Sequence, residues 1–161
     1  MGQYANQTQV SSEKSKAEIE RVVMRYGADQ FLSGMDLRHN QGMVSFRMAD
    51  RLLRFVLPLP DPESDEFTET ATGRERALNQ ARQAWEQACR QRWRALKLVI
   101  QAKLEAVECG IGSFDAVFAT DIVLPDGRTA GEYISVQLPE LYANGGVPTD
   151  LPGLLPSGLE E

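Results

Sequence analysis

The chain has very little of the chemistry from which most enzyme sites are built. It contains one histidine, His39, and two cysteines, Cys89 and Cys109. A lone histidine cannot form a histidine-based metal site, and His39 lies in a turn, where side chains are ordinarily exposed. If both cysteines lie on one helix, about 30 Å separates them at ~1.5 Å per residue, whereas a disulfide needs Cα atoms within about 7 Å. We therefore expect two free thiols, with Cys89 in the core, and no metal or cofactor.

Motifs of the common catalytic classes are also missing. No Gly-x-Ser-x-Gly nucleophile motif occurs. The pairs Gly110/Gly112 and Gly145/Gly146 lack the further glycines and the preceding strand of a phosphate-binding loop. Neither cysteine lies in a recognisable nucleophile motif. These absences predict a protein that is not an enzyme.

Long apolar runs are absent too. No run approaches the ~20 residues needed to cross a bilayer, and residues 1–12 are polar, unlike a signal peptide. We therefore expect a cytoplasmic protein with no membrane partner. The 161 residues are the length of one domain. The pI near 4.9 argues against a protein that coats nucleic acid over its whole surface.

Helical spacing of apolar residues appears in two segments. Ser15 followed by Glu18 is a capping-box pattern, and it predicts a helix over 16–26. A much longer helix is predicted after residue 73, ending at Gly110. Its apolar stripe, which should cover a sheet, consists of Leu78, Trp85, Cys89, Trp93, Leu96, Ile100, Leu104 and Val107.

Between these helices, residues 29–60 alternate with a period of two, which predicts a three-stranded antiparallel meander. Ala49-Asp50 is a plausible two-residue turn between the second and third strands. It would place apolar residues opposite one another on one face. The facing pairs would be Phe46 with Leu53 and Val44 with Phe55.

The remaining segments complete an α+β domain over residues 13–143. An acidic, proline-rich stretch at 58–73 predicts a mobile surface loop. Ser113 and Thr129 are predicted N-caps of short C-terminal helices, the second ending near Pro139 or continuing through Leu141 and Tyr142. The flanking segments 1–12 and 144–161 are predicted to be a disordered lead and a flexible tail. The predicted class is α+β, with an N-terminal helix, the meander, the long helix packed on the sheet, and the short helices.

The long helix is basic although the protein is acidic. Residues 74–103 contain eight basic and two acidic side chains, +6 within a chain of net charge −6. Arg90, Arg94 and Lys97 follow the spacing i, i+4, i+7 and form a line about 10 Å long, which could contact two or three phosphates. We predict a DNA- or RNA-binding surface here. The secondary contacts would be Arg76, Arg47 and Arg54.

Two other interpretations of this basic line stay open. It could be a solvated face whose counterions are internal, because the acidic loop 61–69 precedes the helix and could fold back onto it. It could also bind an acidic protein surface, or the acidic loop could itself mimic phosphates toward a protein partner. The position of loop 61–69 relative to Arg90 distinguishes the internal arrangement from the others.

Carboxylates and exposed apolar residues give two further hypotheses. Asp115, Asp121 and Asp126 are close in sequence, with Glu132 near them, and such a cluster could bind Mg²⁺ in a metal-dependent nuclease. No spacing singles these residues out. On the second face of the sheet, Met43, Leu52 and Val56 would form an apolar patch suited to a homodimer if the C-terminal helices leave it uncovered.

Several segments of the chain resemble a family of small proteins encoded in bacteriophages and prophages. The similar segments are Arg25–Ala28, Arg54–Pro60, Arg90–Glu108 and Ile122–Thr129. The match covers most of residues 12–156, and the helix around Gln91–Trp93 is also similar to phage recombination mediators of the NinB type. The family has no established activity, so it supplies no catalytic residue.

The resemblance implies a phage accessory protein, encoded among early, DNA-metabolism and host-takeover genes. Its first implied role is nucleic-acid binding in replication or recombination. The alternative is a protein that binds and inhibits a host system, such as an anti-defence factor.

Overall fold

The computed structural model describes residues 9–146. The elements are α1 (Ser12–Arg25), β1 (Gln30–Asp36), β2 (Gln41–Met48), β3 (Arg51–Pro58), α2 (Asp65–Thr68), α3 (Leu78–Glu108), α4 (Phe114–Val117) and α5 (Ala130–Gly145), with a 3-10 turn at Ala119–Asp121. The α+β class predicted from the sequence is confirmed. Most of the predicted lead over 1–12 and tail over 144–161 lies outside the described residues.

The first helix begins earlier than its sequence pattern indicated. Ser11 is the N-cap, and its side chain accepts a hydrogen bond from the backbone N–H of Lys14. Ser15, the predicted cap, is instead fully buried on the same face as Ile19 and Val23. The capping-box prediction was wrong because a cap requires an extended backbone, and Ser11, not Ser15, has it.

The three strands form an antiparallel sheet in the order β1-β2-β3. Phe46 pairs with Leu53 and Val44 with Phe55, as predicted from the alternation. The β2–β3 turn places Ala49 and Asp50 at φ 51° and 57°, which is the left-handed backbone that a tight two-residue hairpin requires. The register therefore places one apolar face toward the helices.

Helices α1 and α3 form a layer on that inner face. They run in the same direction, because Glu18 pairs with Arg94 and Tyr26 with Glu105 further along both helices. The α3 stripe is buried as predicted over Cys89, Trp93, Leu96, Ile100 and Leu104, and Trp85 and Val107 pack against its edge. Leu78 departs from the prediction: it is the first helical residue and is 88% exposed.

The side chain of Trp93 packs α3 directly against the sheet. It is fully buried, and a Cβ built on Gly42 in β2 would lie 2.6 Å from its Cζ2 atom. Any side chain at position 42 would overlap the indole ring, so this close approach of helix and strand requires glycine.

The acidic stretch has structure in place of the predicted mobile loop. It contains α2 and a short antiparallel bridge between Glu69 and Glu75. Phe67 within it is only 3% exposed. This single apolar anchor, among acidic neighbours, was not apparent as a periodic pattern in the sequence.

The C-terminal segment attaches at the outer edge of the sheet. Ile122 bridges Leu53, and the backbone N–H of Val123 donates to the carbonyl of Leu52 at 2.8 Å. The predicted N-caps Ser113 and Thr129 are both confirmed. Helix α5 continues through Pro139 to Gly145, so the longer of its two predicted extents, through Leu141 and Tyr142, is confirmed.

Candidate functional site

The predicted basic line of α3 lies along the seam between α3 and α1. Arg90, Arg94 and Lys97 are all partly buried. Arg94 Nη1 donates to Glu18 Oε2 at 2.6 Å, and their side chains are 26% and 22% exposed. The counterion of Arg94 therefore comes from α1 and not from the acidic loop.

Arg90 and Lys97 have neutral partners. Arg90 donates twice to Gln87 Oε1, from Nε at 3.0 Å and from Nη2 at 2.6 Å. Lys97 donates to Gln101 Oε1. Within residues 9–146 no carboxylate forms an ion pair with either cation. Arg90 also lines a cavity of about 430 Å³ with Ser11, Trp85 and other residues.

Arg76 holds the acidic segment in place. Its Nη1 donates to the backbone carbonyls of Glu66 at 3.1 Å and Phe67 at 3.2 Å. Trp85 Nε1 donates to the carbonyl of Pro60 at 2.8 Å. These hydrogen bonds hold the acidic segment against the N-terminal end of α3, and the Arg76 side chain provides two of them.

Arg47 and Arg54 lie on the outer face of the sheet, opposite α3. Arg47 Nε donates to Asp29 Oδ1 at 2.9 Å, and this hydrogen bond lowers the pKa of the Asp29 carboxyl. Arg54 Nη2 donates to Glu132 Oε2 at 3.0 Å. Because side chains alternate across a strand, the sheet separates these two arginines from the α3 line. The structure does not bring the six predicted residues together into one surface.

The three predicted metal carboxylates point to separate cations. Asp115 pairs with Arg51 at 3.2 Å, Asp126 with Arg128 at 2.9 Å, and Asp121 with Lys103. No group of three or more histidine, cysteine, aspartate or glutamate side chains within residues 9–146 is placed to hold a metal ion. The structure therefore does not bring these three carboxylates together.

The two cysteines differ in environment. Cys89 lies on the buried face of α3, and burial raises the pKa of its thiol to about 11. Such a thiol is protonated at neutral pH and is a poor nucleophile. Cys109, at the C-cap of α3, is exposed.

Helix α5, which the sequence prediction treated as an ordinary short helix, has a largely exposed apolar surface. None of its residues is buried. Only Glu132 and Glu140 among its 16 residues are charged, and this shortage of charge was the available signal. Its exposed large apolar residues are Tyr133, Ile134, Val136, Leu138, Leu141 and Tyr142.

The first turn of α5 is attached firmly. Thr129 and Glu132 form a capping box, with each side chain bonded to the other's backbone N–H. Gly131 packs against the carbonyl of Thr120, and the Arg128 guanidinium stacks over Tyr133 at 4.0 Å. Beyond this turn every residue of the helix is exposed.

The outer face of the sheet is also uncovered. Leu32, Leu52 and Val56 are 59%, 46% and 46% exposed, and Met43, the remaining member of the predicted patch, is partly buried. Within residues 9–146 the C-terminal helices therefore leave this patch partly open, although Glu132 of α5 contacts Arg54 on the same face.

Comparisons with known proteins leave the family undefined. No protein-family model, curated protein or solved structure matches this chain. No helix in residues 9–146 combines the length and apolar character needed to cross a membrane.

Proposed function

We propose that this protein is a non-enzymatic protein-interaction module. Its binding surface would be formed by α5 together with the outer face of the sheet, which we call the α5/sheet surface. The observation that carries this proposal is the exposure of six large apolar side chains on one helix. Exposed apolar surface marks sites of protein association more often than sites of polar ligands.

The conformation of α5 supports the same conclusion. Helices of its length owe most of their stability to an apolar face packed against another element. After the first turn, every residue of α5 is exposed in the described structure. A partner that covers Leu138 and Leu141 would supply the missing packing. The resemblance to phage proteins favours partners in the phage or in its bacterial host.

Affinity capture tests the proposed function. Tagged protein is incubated with nuclease-treated bacterial lysate and, separately, with an untagged copy of the chain. We expect stoichiometric capture of a protein in at least one experiment, reduced at least about tenfold by Leu141→Asp. Val99→Asp is the matched control, because Val99 is 47% exposed on α3, away from α5. Capture that Leu141→Asp leaves unchanged would contradict the proposal.

Nucleic-acid binding through α3 is a second candidate. It is favoured by Arg90 and Lys97, whose hydrogen-bond partners are uncharged glutamines. The charge of Arg94 is already compensated by Glu18, so its contribution to phosphate binding should be smaller. The net charge of −6 restricts any such contact to a local patch.

Salt-dependent binding of short DNA and RNA tests this second candidate. We expect affinity to fall as salt rises from about 50 to about 200 mM. Changing Arg90 and Lys97 to Gln should flatten that dependence more than Arg94→Gln does. Undiminished binding after Arg90, Arg94 and Lys97 are all changed to Ala would exclude the site.

A further inference from the structure

Helix α1 carries a second row of basic side chains, in addition to the line on α3. Lys14, Arg21 and Arg25 follow the spacing i, i+7, i+11 and are all exposed. At about 100° per residue, this spacing places the three within about 40° on one side of the helix. Glu13 and Glu20 are turned away from Lys14 by about 100–120°. The row is therefore purely cationic, although α1 also contains three glutamates.

This row borders the seam between α1 and α3. Glu18, about one turn after Lys14 and about 40° from it around the helix, contacts Arg94 across the seam at 2.6 Å. Arg90 and Lys97 lie along the same seam, about one turn before and one turn after Arg94. Because the two helices run in the same direction, the α1 row and the α3 line extend side by side. The α1/α3 surface comprises Lys14, Arg21, Arg25, Arg90 and Lys97.

The cations of the α1/α3 surface have no ion-pair partner. Within residues 9–146 no carboxylate forms an ion pair with any of the five. Arg25 lies over the ring of Tyr26 at 5.6 Å. By contrast, every arginine of the sheet strands has a carboxylate partner, namely Arg47, Arg51 and Arg54. Uncompensated positive charge is thus clustered at the α1/α3 surface.

We propose that the α1/α3 surface binds the phosphate backbone of double-stranded nucleic acid, with α1 providing its most exposed cations. This inference rests on the second candidate function and adds α1 to its site. Lys14 and Arg25 are about 16 Å apart along the helix at ~1.5 Å per residue, which corresponds to about five phosphates of one strand at ~3.4 Å each. Glu105, which accepts a hydrogen bond from Tyr26, limits the surface at its C-terminal end. Contacts of this kind are made to phosphates of any sequence.

The aromatic residues near the surface favour a duplex over a single strand. Proteins that bind single strands commonly stack the bases on exposed aromatic side chains. Trp93 of α3 is fully buried. Trp85 and Tyr26 are partly buried, and each donates a hydrogen bond within the chain. Neither helix therefore presents an exposed aromatic ring for stacking.

Fluorescence anisotropy with a labelled duplex of about 20 base pairs and its separate strands tests the proposal. We expect duplex binding at ~50 mM salt, similar affinity for an unrelated duplex, and weaker binding to single strands. The variant Lys14→Gln/Arg21→Gln/Arg25→Gln should bind at least about tenfold more weakly. It should also reduce the slope of log affinity against log salt by about 2–3, since each phosphate contact contributes ~0.9. The charge-conserving variant Lys14→Arg/Arg21→Lys/Arg25→Lys should keep the binding.

A charge-matched control separates the site from the net charge. Arg38, Arg74 and Arg92 are also exposed and form no ion pair within the described residues. Arg38 and Arg74 lie outside both helices, and Arg92 lies about 160° around α3 from Arg90. Changing these three to Gln removes the same charge and should alter the affinity by no more than about twofold. Circular dichroism of each variant checks that the fold is unchanged.

Equal losses in the two triple Gln variants would overturn the proposal, because net charge alone would then account for binding. Tighter binding to the single strands would overturn it too, as would capture of an acidic protein without any binding of the duplex. If Arg90→Gln/Lys97→Gln weakens binding and the α1 variant does not, nucleic-acid binding through α3 stands without α1. If no nucleic acid binds at ~50 mM salt, both fail, while protein capture through Leu141 is tested separately.

Discussion

The positive charge of Arg94 is compensated by a carboxylate on another helix. Spacing along α3 placed Arg94 on a continuous basic line, but Glu18 of α1 lies 2.6 Å from its guanidinium. Arg92, two positions earlier, is exposed. Two arginines of one helix thus differ in role because only one of them faces α1.

Removing Arg94 should destabilise the fold, while removing Arg92 should not. For Arg94→Ala we expect a loss of about 1–2 kcal/mol in the free energy of unfolding, between the values for exposed and buried pairs. Arg92→Ala should change it by no more than about 0.5 kcal/mol. Urea denaturation measures both.

A double variant tests whether the pair is the cause. Combining Glu18→Ala with Arg94→Ala should cost less than the sum of the single changes, because each removes the same interaction. Purely additive losses would show that the ion pair does not couple α1 to α3.

The contact between α3 and β2 depends on one residue without a side chain. Gly42 lies under the indole ring of Trp93, where an added Cβ would be 2.6 Å from a ring carbon. Gly34, on the neighbouring strand β1, has no heavy atom within 4 Å of an added Cβ. The two glycines provide a matched pair for testing how tightly helix and sheet pack.

Gly42→Ala should destabilise the protein through overpacking. We expect a loss of about 1–3 kcal/mol, whereas Gly34→Ala should change the free energy of unfolding by about 0.5 kcal/mol or less. Thermal or urea denaturation distinguishes the two. Equal losses would argue against contact with Trp93 as the cause.

The start of α5 should be sensitive to acid. The backbone N–H of Thr129 donates to the Glu132 carboxylate and, with the charge of Arg54, holds its pKa below the ordinary value of 4.5. A depressed pKa stabilises the fold above pH 4.5, and that stabilisation is lost as pH falls through the folded-state value.

Comparing Glu132→Gln with wild type measures this effect. At pH 7 we expect wild type to have the higher melting temperature, and the difference should shrink as pH falls below about 4.5. Glu140→Gln is the control, because Glu140 lies on the same helix and has no capping contact in the described structure. A difference that persists unchanged at low pH would rule out the charge of Glu132 as its origin.

Within residues 9–146 the sheet has one closed and one open face. The inner face of the sheet is sealed by α1 and α3, with Val44, Phe46 and Leu53 essentially inaccessible. The outer face and α5 stay exposed. The interaction surface that we propose is on the open side, away from the basic line of α3.

Much of the fold followed from periodicity in the sequence. The alternation of apolar residues predicted the meander and the pairing of Phe46 with Leu53, because a one-residue shift would turn every apolar side chain outward. The apolar stripe of α3 was equally apparent in the sequence. The structure buries its residues Cys89, Trp93, Leu96, Ile100 and Leu104. Periodicity failed where a single residue decides the structure, as with Phe67 in the acidic segment.

The candidate site could be predicted from the sequence less completely than the fold. Composition placed positive charge on α3, but charge compensation depends on which carboxylates approach in three dimensions. The sequence suggested loop 61–69 as the internal counterion of the basic line, and the structure places Glu18 there instead. The apolar surface of α5 could have been noticed from its two charges in 16 residues.

The sequence by itself determined the α+β class, the strand register and the residues of the helix–sheet core, because apolar spacing along a chain fixes which face of each element avoids water. Only the tertiary structure decided which charges are neutralised and which apolar faces stay open. Arg94 and Arg54 acquire partners 76 and 78 positions away, and the residues of α5 after its first turn stay exposed. Such contacts depend on how elements pack, and no local pattern encodes that.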